Sequence, residues 1–187
     1  PTVFIGADLA AFGGSARSGH GRFVVAEACE WNKQFLVLKP DVLVLTSMDR
    51  EHLDTYPGGE PEIIAHFRQL ADQVRPGGFI VANADDPLIR TTLEGVTSPI
   101  HWVGRSMRAG YRIVRVDQMA VGELAIGVSL PADGAEQLMS SMVGVHHAIN
   151  IVASFAALNE LGIARPKLIE SIANFPGLKR RFERYRE

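Results

Sequence analysis

Three short apolar runs, 23–26 (FVVA), 42–45 (VLVL) and 79–82 (FIVA), do not alternate with polar residues. A strand with one wet face alternates, whereas a strand covered on both faces reads as an unbroken apolar run. These runs therefore predict fully buried strands. Between the second and third, Ile63, Ile64, Phe67, Leu70, Ala71 and Val74 recur at helical spacing, which predicts one amphipathic helix over residues 61–74. Pro57-Gly58-Gly59 turns the chain into it, with Glu60-Pro61-Glu62 as its start, and Arg75-Pro76-Gly77-Gly78 ends it. A short helix over 88–93 and a strand over 100–103 follow. Strand, crossover helix, strand, helix, strand is the order of a mostly parallel, doubly wound α/β sheet flanked by helices.

Ahead of this core, residues 2–5 predict a short strand closed by Gly6. A Gly/Ser/Ala loop is expected over 13–21, and a helical turn over 31–38 that stops at Lys39-Pro40. After Gly104 the texture changes. Segments 111–116, 124–130 and 137–142 are separated by Gly, Asp and Pro turns and predict a small three-stranded antiparallel sheet, placed as an edge flap. An alanine-rich helix over 149–161, stopped by Gly162, and a helix over 166–174 close the pattern.

A chain of 187 residues suits one domain or slightly more. Its formal net charge of -2 argues against a nucleic-acid footprint, which needs a basic stripe. No run reaches the roughly 18 apolar residues of a membrane span, and no signal peptide opens the chain. The single cysteine, Cys29, excludes an internal disulfide. A cytoplasmic setting is the reading, with no nucleic acid and no membrane as partner. The chain opens on Pro1 and closes on RRFERYRE without a cap, so a domain taken from a longer protein is expected.

In a parallel sheet, ligands gather at the carboxyl ends of the strands. Here the run 24–26 leads to Glu27 and Glu30, and the run 42–45 leads to Thr46, Ser47, Asp49, Glu51 and His52. Carboxylates and one imidazole at such a rim suit a hard cation of the Mg²⁺ type, which takes one or two carboxylates. Acids at strand ends can equally face solvent, and a lone histidine can be a packing residue. Asp54 and Tyr56 are expected to shape the loop.

A second candidate is the run 144–150, GVHHAIN, at the start of the alanine-rich helix. A helix N-terminus offers free N–H groups, and His146, His147 and Asn150 can hydrogen-bond or stack on a base; an ordinary helix start is the alternative. Lys179-Arg180-Arg181 form a third, since arginine's planar fork suits phosphate oxygens; a basic triplet is also a common solvated face. The run 83–87, NADDP, is good turn chemistry in any case. Cys29 sits among carboxylates, which disfavour its thiolate.

In this order, the segment from Ala26 to Tyr56, then NADDP, GVHHAIN with its alanine-rich helix, and FPGLKRRF resemble the Mur ligase family across nearly the whole chain. The resemblance is to that family's central ATP-binding domain, and HLDTYPG favours the alanine-adding branch over the branch that recycles murein tripeptide. It implies an ATP-dependent, amide-forming ligase of peptidoglycan synthesis. Such an enzyme makes an acyl phosphate from UDP-N-acetylmuramate and ATP, which the amine of L-alanine then attacks. By motif match, Glu27 and His52 would hold Mg²⁺, and His146, His147 and Asn150 would face the adenine. Arg180 or Arg181 would face the ribose and phosphates. The family's UDP-binding domain, its C-terminal domain and its phosphate-cradling glycine loop, with the strand that bears it, are expected outside these residues. On that ground the piece alone is expected to be inactive, and self-association through an exposed sheet edge is plausible.

Some positions depart from the family pattern. The family usually carries Asn, Glu and Asp where this chain has Ser47, Asp49 and Glu51, and Asn where it has His147. Other members carry a carbamylated lysine near the position of His66, and no lysine stands there. Substitutions at Ser47, Glu51 and His147 motivate an alternative: a homologue that binds a nucleotide or a partner without catalysis.

Overall fold

The computed structural model describes residues 1–9, 13–50, 54–119, 122–132 and 134–177. Among these, the strands form two sheets. The larger has six strands in the order β4 (Val42–Leu45), β5 (Phe79–Asn83), β6 (Ile100–Gly104), β7 (Tyr111–Gln118), β8 (Leu124–Leu130) and β9 (Gly134–Ser140). The pairs from β4 to β7 are parallel and the last two are antiparallel. The sheet is thus mostly parallel, as the alternation of runs and helices predicts. The antiparallel strands expected after Gly104 are present, but they extend the main sheet through the β6–β7 pair. The physical reason is burial: β8 hides Leu124, Ile126 and Val128 almost completely, so it serves as core.

Helix α1 (Glu60–Asp72) and α2 (Pro87–Leu93) cover one face, against Leu43, Leu45, Ile80 and Ala82. Helix α3 (His147–Glu160), with α4 (Arg165–Ala173) beside it, covers the other, against Val81, Val103 and Ile113. Successive residues of β5 therefore meet different helices, which is why its sequence is continuously apolar. Helix α3 is apolar nearly all round. Its alanines at 148, 153, 156 and 157 are buried, so its backbone lies close to the sheet.

The smaller sheet joins β1 (Thr2–Leu9), β2 (Gly14–Arg17) and β3 (Val24–Ala26) in the order β2-β1-β3. Two expectations fail here. Part of the presumed loop over 13–21 is strand β2, antiparallel to β1. And β3, expected to be fully buried, leaves Val24 67% and Val25 51% exposed. Among the described residues β3 pairs with β1 alone, so its apolar side chains lack the covering layers that their pattern calls for. Strand β4 is intermediate between these cases: Leu43 and Leu45 are buried while Val44 is 40% exposed, as suits the edge of the larger sheet. No helix among the described residues is long and apolar enough to cross a membrane.

A candidate nucleotide and cation site at the carboxyl edge of the sheet

The direction of α3 fixes where its start lies. At its far end, Glu160 accepts a hydrogen bond from the Tyr111 hydroxyl (2.5 Å), at the beginning of β7, and lies 3.3 Å from Nδ1 of His101 in β6. At its near end, the Gly144 N–H donates to Oε1 of Gln118, at the close of β7 (2.8 Å). Helix α3 therefore runs antiparallel to the parallel strands. His146 and His147 therefore lie on the side of the sheet toward which the parallel strands run, beside the end of β7.

Gly144 has φ +106°, and a Cβ there would come within 2.5 Å of the His146 ring. Glycine is required at this close approach. The rings of His146 and His147 lie 4.1 Å apart, centre to centre. Burial, and secondly the neighbouring His146, push the His147 pKa below its usual 6.5. At neutral pH the His147 imidazole is uncharged, the form that can both donate and accept with a neutral base. Asn150, one turn on, is exposed and directs its backbone carbonyl to the Ser154 hydroxyl at 2.8 Å. The loop before α3 is also tied forward: the Ser141 hydroxyl donates to the Phe175 carbonyl at 2.7 Å. Phe175 opens the FPG run, so the histidine pair and the chain leading to Lys179-Arg180-Arg181 share one anchor. Those three residues themselves lie outside the described residues.

Glu27 follows β3. Its Oε2 accepts the Gly6 N–H at 2.6 Å and its own N–H donates to the Phe4 carbonyl at 2.8 Å, so both bonds tie it to β1. The carboxylate is exposed, and no ion pair reaches it among the described residues. One oxygen thus stays available to a hard cation. Its partner from the sequence reading, His52, lies outside the described residues, as does Glu51. Among the described residues, no three His, Cys, Asp or Glu side chains converge to hold a metal. The Glu30 backbone carbonyl accepts the Tyr56 hydroxyl at 2.6 Å. Asp49 is exposed, its Oδ1 taken by the N–H of Arg50 at 2.7 Å.

Tyr56 is 1% exposed and structural. Burial, then the negative groups Glu30, Glu62 and Cys29, raise its pKa, so it stays a donor. Beside it, Lys33 has φ +58°, an unfavourable value for a lysine, and its ammonium pairs with Glu62 at 2.8 Å. The hydrogen bond from Lys33, and then that from the Gly58 N–H, hold the Glu62 carboxyl below its usual range. Nothing local in the sequence signals this contact across 29 positions.

The run 83–87, good turn chemistry by its sequence, joins the segments after β4 and β6 to β5 and α2. The Asn83 amide donates to the Thr46 carbonyl (2.9 Å), and its oxygen accepts the Asp85 N–H (2.9 Å). Asp85 accepts the N–H groups of Arg105 (2.6 Å) and Ser106 (2.8 Å). Gly104, at φ +145°, permits this, because a Cβ there would lie 2.8 Å from Asp85 Oδ2. Asp86 caps α2 by accepting from the N–H groups of Leu88 (2.8 Å) and Ile89 (3.1 Å) with Oδ1, while Oδ2 accepts from Met48 (2.9 Å). An aspartate followed by proline at a helix start was readable as a cap; its hold on β4 was not.

A family model described as the Mur ligase middle domain matches residues 13–158. Curated relatives called UDP-N-acetylmuramate–L-alanine ligase include one from Coxiella burnetii, 32% identical over 97% of this chain and 39% of its own length. Another, from Thiobacillus denitrificans, is 32% identical over 100% of this chain and 40% of its own. Among solved structures, the UDP-N-acetylmuramate–alanine ligase MurC of Thermotoga maritima superposes with a TM-score of 0.83. It is 23% identical, covering 97% of this chain and 40% of that one, a likeness of fold. The chain therefore spans about two-fifths of the length of the relatives it matches.

Proposed function

Because this chain belongs to the Mur ligase family, we propose that it is the central nucleotide-binding part of an ATP-dependent ligase that joins L-alanine to UDP-N-acetylmuramate. The carrying observation is the 32% identity to relatives bearing that name, running over 97% of the chain. The direction of α3 agrees with it: the helix runs antiparallel to β7, so the histidine pair lies on the carboxyl side of the parallel strands, the side where such sheets bind nucleotides.

In this reading His146, His147 and Asn150 orient the adenine, with neutral His147 serving as donor or acceptor. Glu27 and His52 hold Mg²⁺, and Arg180 or Arg181 bind ribose and phosphate oxygens. The metal, when bound, neutralises charge on the transferring phosphoryl group. The arginine fork does the same from the protein side. Attack of the muramate carboxylate on the γ-phosphorus then gives an acyl phosphate and ADP. The amine of L-alanine displaces phosphate from that carbonyl to form the amide.

The test is an assay of phosphate release by the full-length protein with UDP-N-acetylmuramate, ATP and L-alanine. Release that requires both the sugar nucleotide and the amino acid supports the proposal. A protein that binds ATP yet releases no phosphate with any amino acid overturns it. The 187 residues contain no Gly-x-x-Gly-Lys-Thr loop to cradle phosphates, so this chain by itself is expected to hydrolyse no ATP.

A further inference from the structure

We propose that Gln118 is a positioning residue for the base site: it fixes Gly144, and through Gly144 the placement of His146 and His147. The Gln118 carboxamide bridges two parts of the chain. Its Nε2 donates to the Glu123 carbonyl, just before β8, at 3.0 Å, and its Oε1 accepts the Gly144 N–H at 2.8 Å. Only one orientation of the amide satisfies both bonds, so the first keeps the oxygen aimed at Gly144. The β7–β8 hairpin itself has no need of that first bond. Its ladder already runs to the Gln118–Leu124 pair, and the Met119 N–H closes it on the same Glu123 carbonyl at 2.7 Å.

Gly144 passes the constraint on to both histidines. Its carbonyl accepts the His147 N–H at 3.0 Å. Its α-carbon lies so near the His146 ring that a Cβ would stand 2.5 Å from it. No side chain caps α3 at His146, so the helix start is not set by a residue of its own. Among the described residues, the Gln118 bond is what ties 143–145 to the sheet. A shift at Gly144 therefore moves the backbone of His147 and the surface under the His146 ring together. The bond spans 26 positions and is exposed. Water competes for both its partners, so it adds little to global stability and its effect is local.

This inference rests on the reading of His146, His147 and Asn150 as the adenine site, and its test separates the two. Gln118→Met keeps the length of the side chain at an exposed position and removes both hydrogen bonds. Titration calorimetry of the full-length protein compares ATP with inosine triphosphate, which differ only at the base. Amide hydrogen exchange without nucleotide reads the strap itself. In Gln118→Met the Gly144 amide should exchange faster, while buried Ile126 in β8 and Val152 in α3 keep their protection. The preference for ATP over inosine triphosphate should fall roughly 3- to 10-fold, the worth of about one hydrogen bond. Gly144 exchange equal to that of the parent overturns the strap. Faster Gly144 exchange with the parent's preference intact, or with equal weakening of both nucleotides, overturns the positioning role. A parent protein that does not distinguish the two nucleotides, or a variant carrying both His146→Ala and His147→Ala that binds ATP as the parent does, instead removes the adenine reading on which the inference rests.

Discussion

Tyr56 reaches back 26 residues to the Glu30 carbonyl, donating its hydroxyl at 2.6 Å from a position only 1% exposed. This bond joins the segment after β3 to the loop before α1. Tyr56→Phe keeps the ring in place and removes the donor, leaving the Glu30 carbonyl with one partner fewer. A loss of about 1 kcal/mol is expected, the usual worth of such a bond. Urea unfolding of the two proteins measures it, and an unchanged midpoint would show that water replaces the bond.

His147 predicts an acid dependence. Its folded pKa lies below the ordinary 6.5 of the unfolded chain, so the unfolded state takes up a proton first as pH falls. The stability associated with neutral His147 is present above pH 6.5 and is lost as pH drops from there through the folded value. His147→Asn should remove that slope. The check is the difference in unfolding midpoint between the two proteins at pH 7.5 and pH 5, alongside direct NMR titration of the ring.

Tyr111 predicts the opposite limb. Burial, and next the hydrogen bond to Glu160, push its pKa from 10.0 up to about 12. A raised folded value favours the protonated group, so its contribution is whole below pH 10 and is lost as pH rises through about 12. Tyr111→Phe should show a shallower alkaline decline. Denaturant melts across that window, compared as a difference, give the answer.

On the proposed ligase reading, Glu27→Ala in the full-length protein should raise the Mg²⁺ concentration needed for half-maximal activity by about 10-fold or more, and His52→Ala should act in the same direction. Unchanged metal dependence in both would remove these residues from the proposed cation site.

The exposed apolar edges predict association. Val24 and Val25 on β3 and Val44 on β4 lie on strands that border their sheets among the described residues. Light scattering of this chain should show a mass rising with concentration, and Val25→Lys should lower it, because a charge on an edge strand opposes pairing.

The sequence alone determined the order of elements from β4 to α4, because each carries a local signal: α1 the helical period, β5 an unbroken apolar run, α3 an alanine-rich stretch. It also revealed GVHHAIN as a helix start and Glu27 as an acid at a strand end, both local properties. Tertiary structure alone decided three things. Strand β3 has a buried strand's composition yet is exposed, because burial depends on neighbours, which a strand's own residues do not specify. The antiparallel β7–β9 joined the main sheet, because a strand edge accepts any partner that satisfies its N–H and C=O groups. And Asp86 became a link between β4 and α2, because a carboxylate has two oxygens and its sequence neighbours account for only one of them.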